Sequence, residues 1–209
     1  MPRRKSRRAP GPRTGARAKL LDAALHEIRA RGYEATTVDG LCAAAGVTKG
    51  AFFHHFDSKE ALAVAAAGHF GAMAERLFSQ APYRTLDDPL DRLLGYVDFR
   101  RSILAGQLPD YTCLLGTMVQ EVYGTHPAIR AACEAGILAH AAGITKDIAE
   151  AKRLYAPRER WSAESLALYT QAVIQGAFVL AKSKNGPDVA KECLTHLRRY
   201  LQLLFKREE

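Results

Sequence analysis

No apolar run in this 209-residue chain approaches the ~18 uninterrupted residues of a membrane span, so no helix of it is expected to cross a bilayer. Cysteine is scarce. Cys42, Cys113, Cys133 and Cys193 stand far apart with no CxxC pair, which argues against both a zinc site and a disulfide framework. Strand alternation, internal repeats and glycine-rich phosphate loops are all missing, and apolar groups recur at helical spacing almost throughout. Catalytic constellations are missing too. His54 and His55 are adjacent, so on a helix they point about 100° apart, and neither has an i+4 partner histidine. His26, His69, His126, His140 and His196 are scattered, and no carboxylate pair has acid–base spacing. An enzyme, a resident metal and a cofactor are therefore not expected.

Acids are absent from residues 1 to 19, where Arg3, Arg4, Lys5, Arg7, Arg8, Arg13, Arg17 and Lys19 supply eight positive charges. The formal net charge is +8, so residues 20 to 209 balance at 22 bases and 22 acids. A segment of Pro, Gly, Arg and Lys with almost no large apolar group cannot bury enough surface to fold alone, and it gains by releasing counterions from a polyanion. Residues 1–14 are expected to form a disordered basic arm that tracks phosphate or a minor groove; a solvated tail is the alternative. The arm lacks the apolar stretch of a signal peptide and any insertable amphipathic partner, so the expected compartment is the cytoplasm, away from membranes.

Beside the arm, Val38, Leu41, Cys42 and Ala45 fall at i, i+3, i+4 and i+7 and give one short helix a buried side. Gly46 suits a left-handed stop, and the Thr48 hydroxyl can cap the next helix. This is a helix-turn-helix. Phe52 and Phe56, one turn apart, must pack the second helix on the first, leaving Lys49, Ala51, Phe53, His54 and His55 outward as candidate DNA readers. With a first helix carrying Leu21, Ala24, Leu25 and Ile28 and ended by Gly32, a three-helix head closes at about residue 56.

The rest reads as helices as well, and the 48% hydrophobic content is ample for a core. Asp57 or Ser58 caps a helix whose face is Leu62, Ala66, Phe70, Met73 and Leu77; Asp88 followed by Pro89 starts another. Tyr111 to Tyr123 reads as one short apolar helix, and Pro127 opens a long segment reaching Leu154. Two regular stripes follow: Leu166, Tyr169, Val173, Ala177 and Leu180, then Ala190, Cys193, Leu194, Leu197, Tyr200, Leu201 and Leu204. The Asn185-Gly186-Pro187-Asp188 turn joins them as an antiparallel hairpin. Because one helix-turn-helix contacts only a few base pairs, a homodimer through these last two helices is expected, pairing the hairpins as a four-helix bundle. The fold class is all-α, with a basic arm at 1–14, a DNA-binding head at 15–62 and a ligand-binding and dimerisation domain at 63–209.

The head resembles that of the TetR family of bacterial repressors over residues 15 to 62. Thr37, the Ala-Gly-Val-Thr-Lys-Gly turn, Phe-His-His-Phe, and Ser58-Lys59-Glu60-Ala61-Leu62 occur in that family's order and spacing. The resemblance implies DNA contacts at Thr37, Thr48, Lys49, Ala51, His54 and Lys59, and Phe53 where many members carry a phosphate-contacting tyrosine. It also implies a double-stranded operator, a small-molecule inducer, and a connecting helix at residues 58 to 77 that swings when the inducer binds. Tyr111-Thr112-Cys113-Leu114-Leu115-Gly116 and the later Gly176 to Lys182 segment are similar to a branch responding to electrophiles, oxidants and acrylate-like molecules. There the cysteine matching Cys113 can be the sensor, with a lysine matching Lys182 near it. A helix start with a nearby ammonium is the kind of place that activates thiols, although Asp110 opposes this, and Thr112 stands where that branch usually has glycine. A noncovalent pocket between the helices at 90 to 140 is the alternative, with Tyr96, Tyr111, Met118, Tyr123 and His140 as candidates. The rival from another class is an architectural DNA-binding protein of the nucleoid that senses nothing.

Overall fold

Local sequence signals start and stop most of the helices. The computed structural model describes residues 15–207; the basic arm at 1–14 lies outside them. Helix α1 (Ala16–Arg31) ends at Gly32, whose φ of 89° favours glycine, and buries Leu20, Leu21, Ala24, Leu25 and Ile28. The Thr37 hydroxyl accepts the Gly40 N–H to cap α2 (Val38–Ala45), and Gly46 in the left-handed region closes it. Thr48 caps α3 (Lys49–His55) in the same way through the Ala51 N–H. Leu41 and Phe52, both fully buried, lock the two short helices together. Ser58, not Asp57, caps α4 (Lys59–Ser79).

A 3-10 turn at Pro82–Thr85 leads to α5 (Pro89–Ser102), where the Asp88 carboxylate accepts the Leu90 and Asp91 N–H groups. The single helix expected over Tyr111 to Tyr123 is two: α6 (Leu108–Tyr111) and α7 (Leu114–Val122). Thr112 breaks it. Its backbone is extended and its hydroxyl donates to the Leu108 carbonyl, so the chain turns a corner before Cys113 caps α7. Long helix α8 (Pro127–Tyr155) then packs against α4, α5, α7 and α9. Helices α9 (Ala163–Lys184) and α10 (Asp188–Leu204) form the expected hairpin around left-handed Asn185.

Two hydrophobic clusters result, and their border does not follow the head boundary at residue 62. One joins α1, α2 and α3 to the start of α4, all of α7 and the first turns of α8, through Leu114, Leu115, Met118, Val122, Ile129 and Cys133. The other fills the space among α5, the rest of α8, α9 and α10. Ion pairs tie α5 to α8: Asp147, almost fully buried, receives Arg84 at 3.3 Å and Arg92 at 2.7 Å, and Arg92 also meets Glu150 at 2.6 Å. At the same end of the pair, Asp88 accepts the Tyr155 hydroxyl while Arg207 reaches Asp88 and Asp91.

The face expected for α4 holds only in its first half. Leu62, Ala63, Ala66 and Ala67 are buried, but Met73 and Leu77 are 40% and 47% exposed, because a cavity and not a core lies beside them. Leu93, fully buried on α5, tests the larger cluster: Leu93→Ala is expected to lower unfolding free energy by about 2–5 kcal/mol in urea titration.

Candidate DNA-reading face and effector cavity

Helix α3 presents one side to solvent. Thr48 and Lys49 are exposed at its N-terminal end, Phe53 is 50% exposed, His54 is exposed, and Ala51 and His55 are partly covered. Lys49 Nζ lies 3.0 Å from Asp39, an exposed pair that contributes little to stability and leaves the ammonium available. Thr37 stands exposed at the start of α2, so both capping threonines border the same face. Lys59 is held differently: its Nζ donates to the Tyr33 carbonyl at 3.1 Å and sits 4.1 Å from the centroid of the buried Tyr33 ring.

A cavity of about 630 Å³ opens where α4, α5, α6, α7, α8 and α9 meet, and its walls are mostly apolar: Phe70, Met73, Leu77, Phe78, Ile103, Tyr111, Leu115, Ile137 and Phe178. Of the five residues proposed for a noncovalent pocket, Tyr111 and His140 line it. Met118 does not, because it faces the head cluster with no exposure, and Tyr123 is 63% exposed beyond the end of α7. Tyr96 is buried behind the wall and reaches it only through its hydroxyl, 3.0 Å from His140 Nε2. The same nitrogen receives Arg100 Nη2 at 2.7 Å, so it accepts, and Gln171 and Arg100 Nε both donate to the Tyr96 oxygen at 3.2 Å. Burial, with Arg100 and Arg84 nearby, pushes His140 down to about 3.

Arg29, Arg100, Gln171 and Gln175 on this wall escaped the sequence reading. Two of them left a trace. Arg29 falls four residues after Leu25, and Arg100 seven after Leu93 and three after Val97, so each puts a cation at the next position of an apolar stripe.

Cys113 occupies the corner between α6 and α7 and borders both this cavity and a second, more polar one of about 540 Å³ between α1, α7 and α9. Its sulfur accepts the Gly116 N–H at 3.4 Å. Lys182 lines the second cavity as well, donating to Thr117 Oγ1 at 2.7 Å, and burial lowers its ammonium while Cys113 and Glu121 oppose the shift. The corner is tied to the head. Arg29 donates to the Leu25 carbonyl at 2.7 Å and, across the gap, to the carbonyls of Asp110 and Thr112 at 3.5 and 3.4 Å. At the far end of α7, the Glu121 carboxylate accepts the backbone N–H groups of Tyr33 at 2.5 Å and Glu34 at 3.2 Å. A Cβ at Gly32 would lie 2.7 Å from that carboxylate, so glycine permits both the left-handed turn and the close approach. Cys42 and Cys133 are buried; Cys193 is half-buried on α10.

These features define a helix-turn-helix DNA-binding protein with a hollow helical domain behind its head. The profile described as bacterial regulatory proteins, tetR family, matches residues 20–66, and that described as tetracyclin repressor-like, C-terminal domain, matches residues 89–197. The chain belongs to the TetR family and is a DNA-binding transcriptional regulator, not an enzyme. It is 28% identical over 187 residues to the HTH-type transcriptional repressor DhaR of Mycobacterium sp. strain GP1, covering 88% of this chain and 90% of that one. The transcriptional regulator AcuR of Cereibacter sphaeroides is 30% identical over 131 residues, 63% of this chain and 60% of its own. Among solved structures, a TetR transcriptional regulator from Chloroflexus aurantiacus shares the fold with a TM-score of 0.78 at 24% identity, over 90% of this chain and 94% of that one. Among the described residues, no helix is long and apolar enough to cross a membrane.

The His140 environment has a measurable cost in acid. Between its ordinary value of 6.5 and about 3, the unfolded chain binds a proton that the native protein excludes, so stability falls as pH falls. The loss is expected to approach about 1.4 kcal/mol per pH unit below 6, and His140→Gln should flatten that slope in urea titrations at successive pH values. The Glu121 clamp predicts a local effect. Glu121→Ala should speed amide hydrogen exchange at Tyr33 and Glu34 while leaving exchange in α9 unchanged.

Proposed function

We propose that the protein is a cytoplasmic homodimer that reads a palindromic operator and lets go when its cavity is filled or Cys113 is modified. Thr37, Thr48, Lys49, Ala51, Phe53, His54, His55 and Lys59 form the DNA-facing surface, with the N-terminal end of α3 entering the major groove. Lys59 would have to leave the Tyr33 carbonyl, or reach phosphate beside it. Apolar groups left exposed on the last two helices support the dimer: Leu168, Tyr169, Val179 and Leu180 on α9, Tyr200 and Leu203 on α10. A second copy would cover them.

The observation that carries the sensing is the position of Cys113. It lies at the corner where both cavities meet, on the helix that packs into the head cluster and ends at the Glu121 clamp. With an acrylate-type electrophile, the thiolate pair forms an S–C bond at the β-carbon, the alkene pair moves to the α-carbon, and that carbon takes a proton from water. The added group would then crowd the corner held by Arg29. A noncovalent ligand in the larger cavity would press on the same corner and on α4, separating two recognition helices that must meet successive major grooves about 34–36 Å apart.

Selection of bound sequences from a random duplex pool, with and without an acrylate-type electrophile, tests this. Recovery of a palindrome that is lost on treatment is the expected result, and Cys113→Ser should bind the same palindrome but keep it. Release of the serine variant by the electrophile would remove Cys113 from the mechanism, and no enriched motif would remove the operator.

A further inference from the structure

We propose that the larger cavity is built for a monocarboxylate with an apolar body, its charged end meeting the Arg100 guanidinium; this rests on reading that cavity as the effector site. Arg100 is half-buried on the wall, its carbon 4.5 Å from the Phe78 ring centroid. Among the described residues no carboxylate lies within 4.0 Å of it, unlike Arg84 on the 3-10 turn and Arg92 near the start of α5, which share Asp147. Its partners are neutral: the Tyr96 hydroxyl, through Nε at 3.2 Å, and His140 Nε2, through Nη2 at 2.7 Å. His140 stays uncharged there and takes up none of the charge. A guanidinium cannot shed its proton, so a full positive charge remains on an apolar wall with three of its five N–H donors unspent.

The other charges on the wall do not neutralise it. Asp110 accepts the Gln107 N–H at 2.7 Å and faces Arg29, and Glu75 is exposed on α4 with no ion pair to Arg100. Arg29 spends three of its five donors on the carbonyls of Leu25, Asp110 and Thr112 and has the Asp110 carboxylate facing it, whereas Arg100 keeps three donors with no acid paired to it. A carboxylate matches the fork of a guanidinium and forms stronger hydrogen bonds than a neutral group can. One cation without a paired acid beside a mostly apolar space of about 630 Å³ fits a single anionic head and a hydrocarbon or aromatic body, and disfavours both a dianion and a cation.

Calorimetric titration of the full chain with octanoate and benzoate, each beside its neutral counterpart octan-1-ol or benzamide, separates the outcomes. The anions should bind at least tenfold more tightly than the neutral molecules. Arg100→Gln, which keeps donors but not charge, should abolish that preference, and Arg100→Lys should retain part of it; operator binding without ligand checks that both variants fold. Equal binding of anion and neutral molecule by the wild type, a preference that survives Arg100→Gln, or no binding of either anion would overturn the proposal. Met73→Trp places an indole in the cavity, at a position already 40% exposed, and should block the probes. Probe binding unchanged in that variant would remove the cavity itself as the effector site. Blocked binding without an anion preference would remove only the carboxylate.

Discussion

The packing of α7 against the head is the contact on which the rest of the arrangement depends. Leu114, Leu115, Met118 and Val122 share one cluster with Leu20, Leu25, Ile28, Leu41 and Phe52, so the helix beginning at Cys113 is part of the head's core although it lies far along the chain. Interiors packed to crystal-like density do not deform smoothly. A change at the start of α7 therefore has two ways to be accommodated: the whole of α7 moves and takes α1 with it, or the cluster opens. The Arg29 contacts at one end of α7 and the Glu121 clamp at the other favour the first.

The features that chain-local chemistry decides were legible in the sequence. Thr37, Gly46 and Thr48 act on groups within four residues, and the two helices and their turn sit where those residues place them. Asp88 with Pro89, Pro127, and the Asn185 turn are read equally directly. The break at Thr112 was not, because Tyr111, Leu114, Leu115 and Met118 keep helical spacing across it; only the extended Thr112 and Cys113 backbones reveal the corner.

The outward placement of the α3 residues was legible in the sequence, and the lining of the cavity was not. An outward position on α3 follows from the inward pull of Phe52, whereas the side of α7 that meets the cavity depends on which partner claims the larger apolar face. Met118 goes to the head and Leu115 reaches both, a division fixed by α1 and α8 and not by α7 itself. Periodicity also hides polar members of a buried stripe. Arg100 sits at an apolar phase of α5, and without the wall opposite it reads as a frayed helix end.

Helix α8 spans both clusters, with Ile129 and Cys133 in the one and Ile144, Ile148 and Ala151 in the other. Its 29 residues make a rod roughly 43 Å long at 1.5 Å per residue. By the same geometry about 20 residues, roughly 30 Å, separate the Asp147 ion pairs from its first turn, so a tilt of about 10° about those pairs carries that turn by roughly 5 Å, about one helical pitch. The ion pairs of Asp147 and Glu150 hold its C-terminal part to α5, while its first turns, with Ile129 and Cys133 fully buried, are packed into the head cluster. A rotation about those pairs would reach α1 by way of α7, with an amplitude set by where along α8 the ion pairs sit.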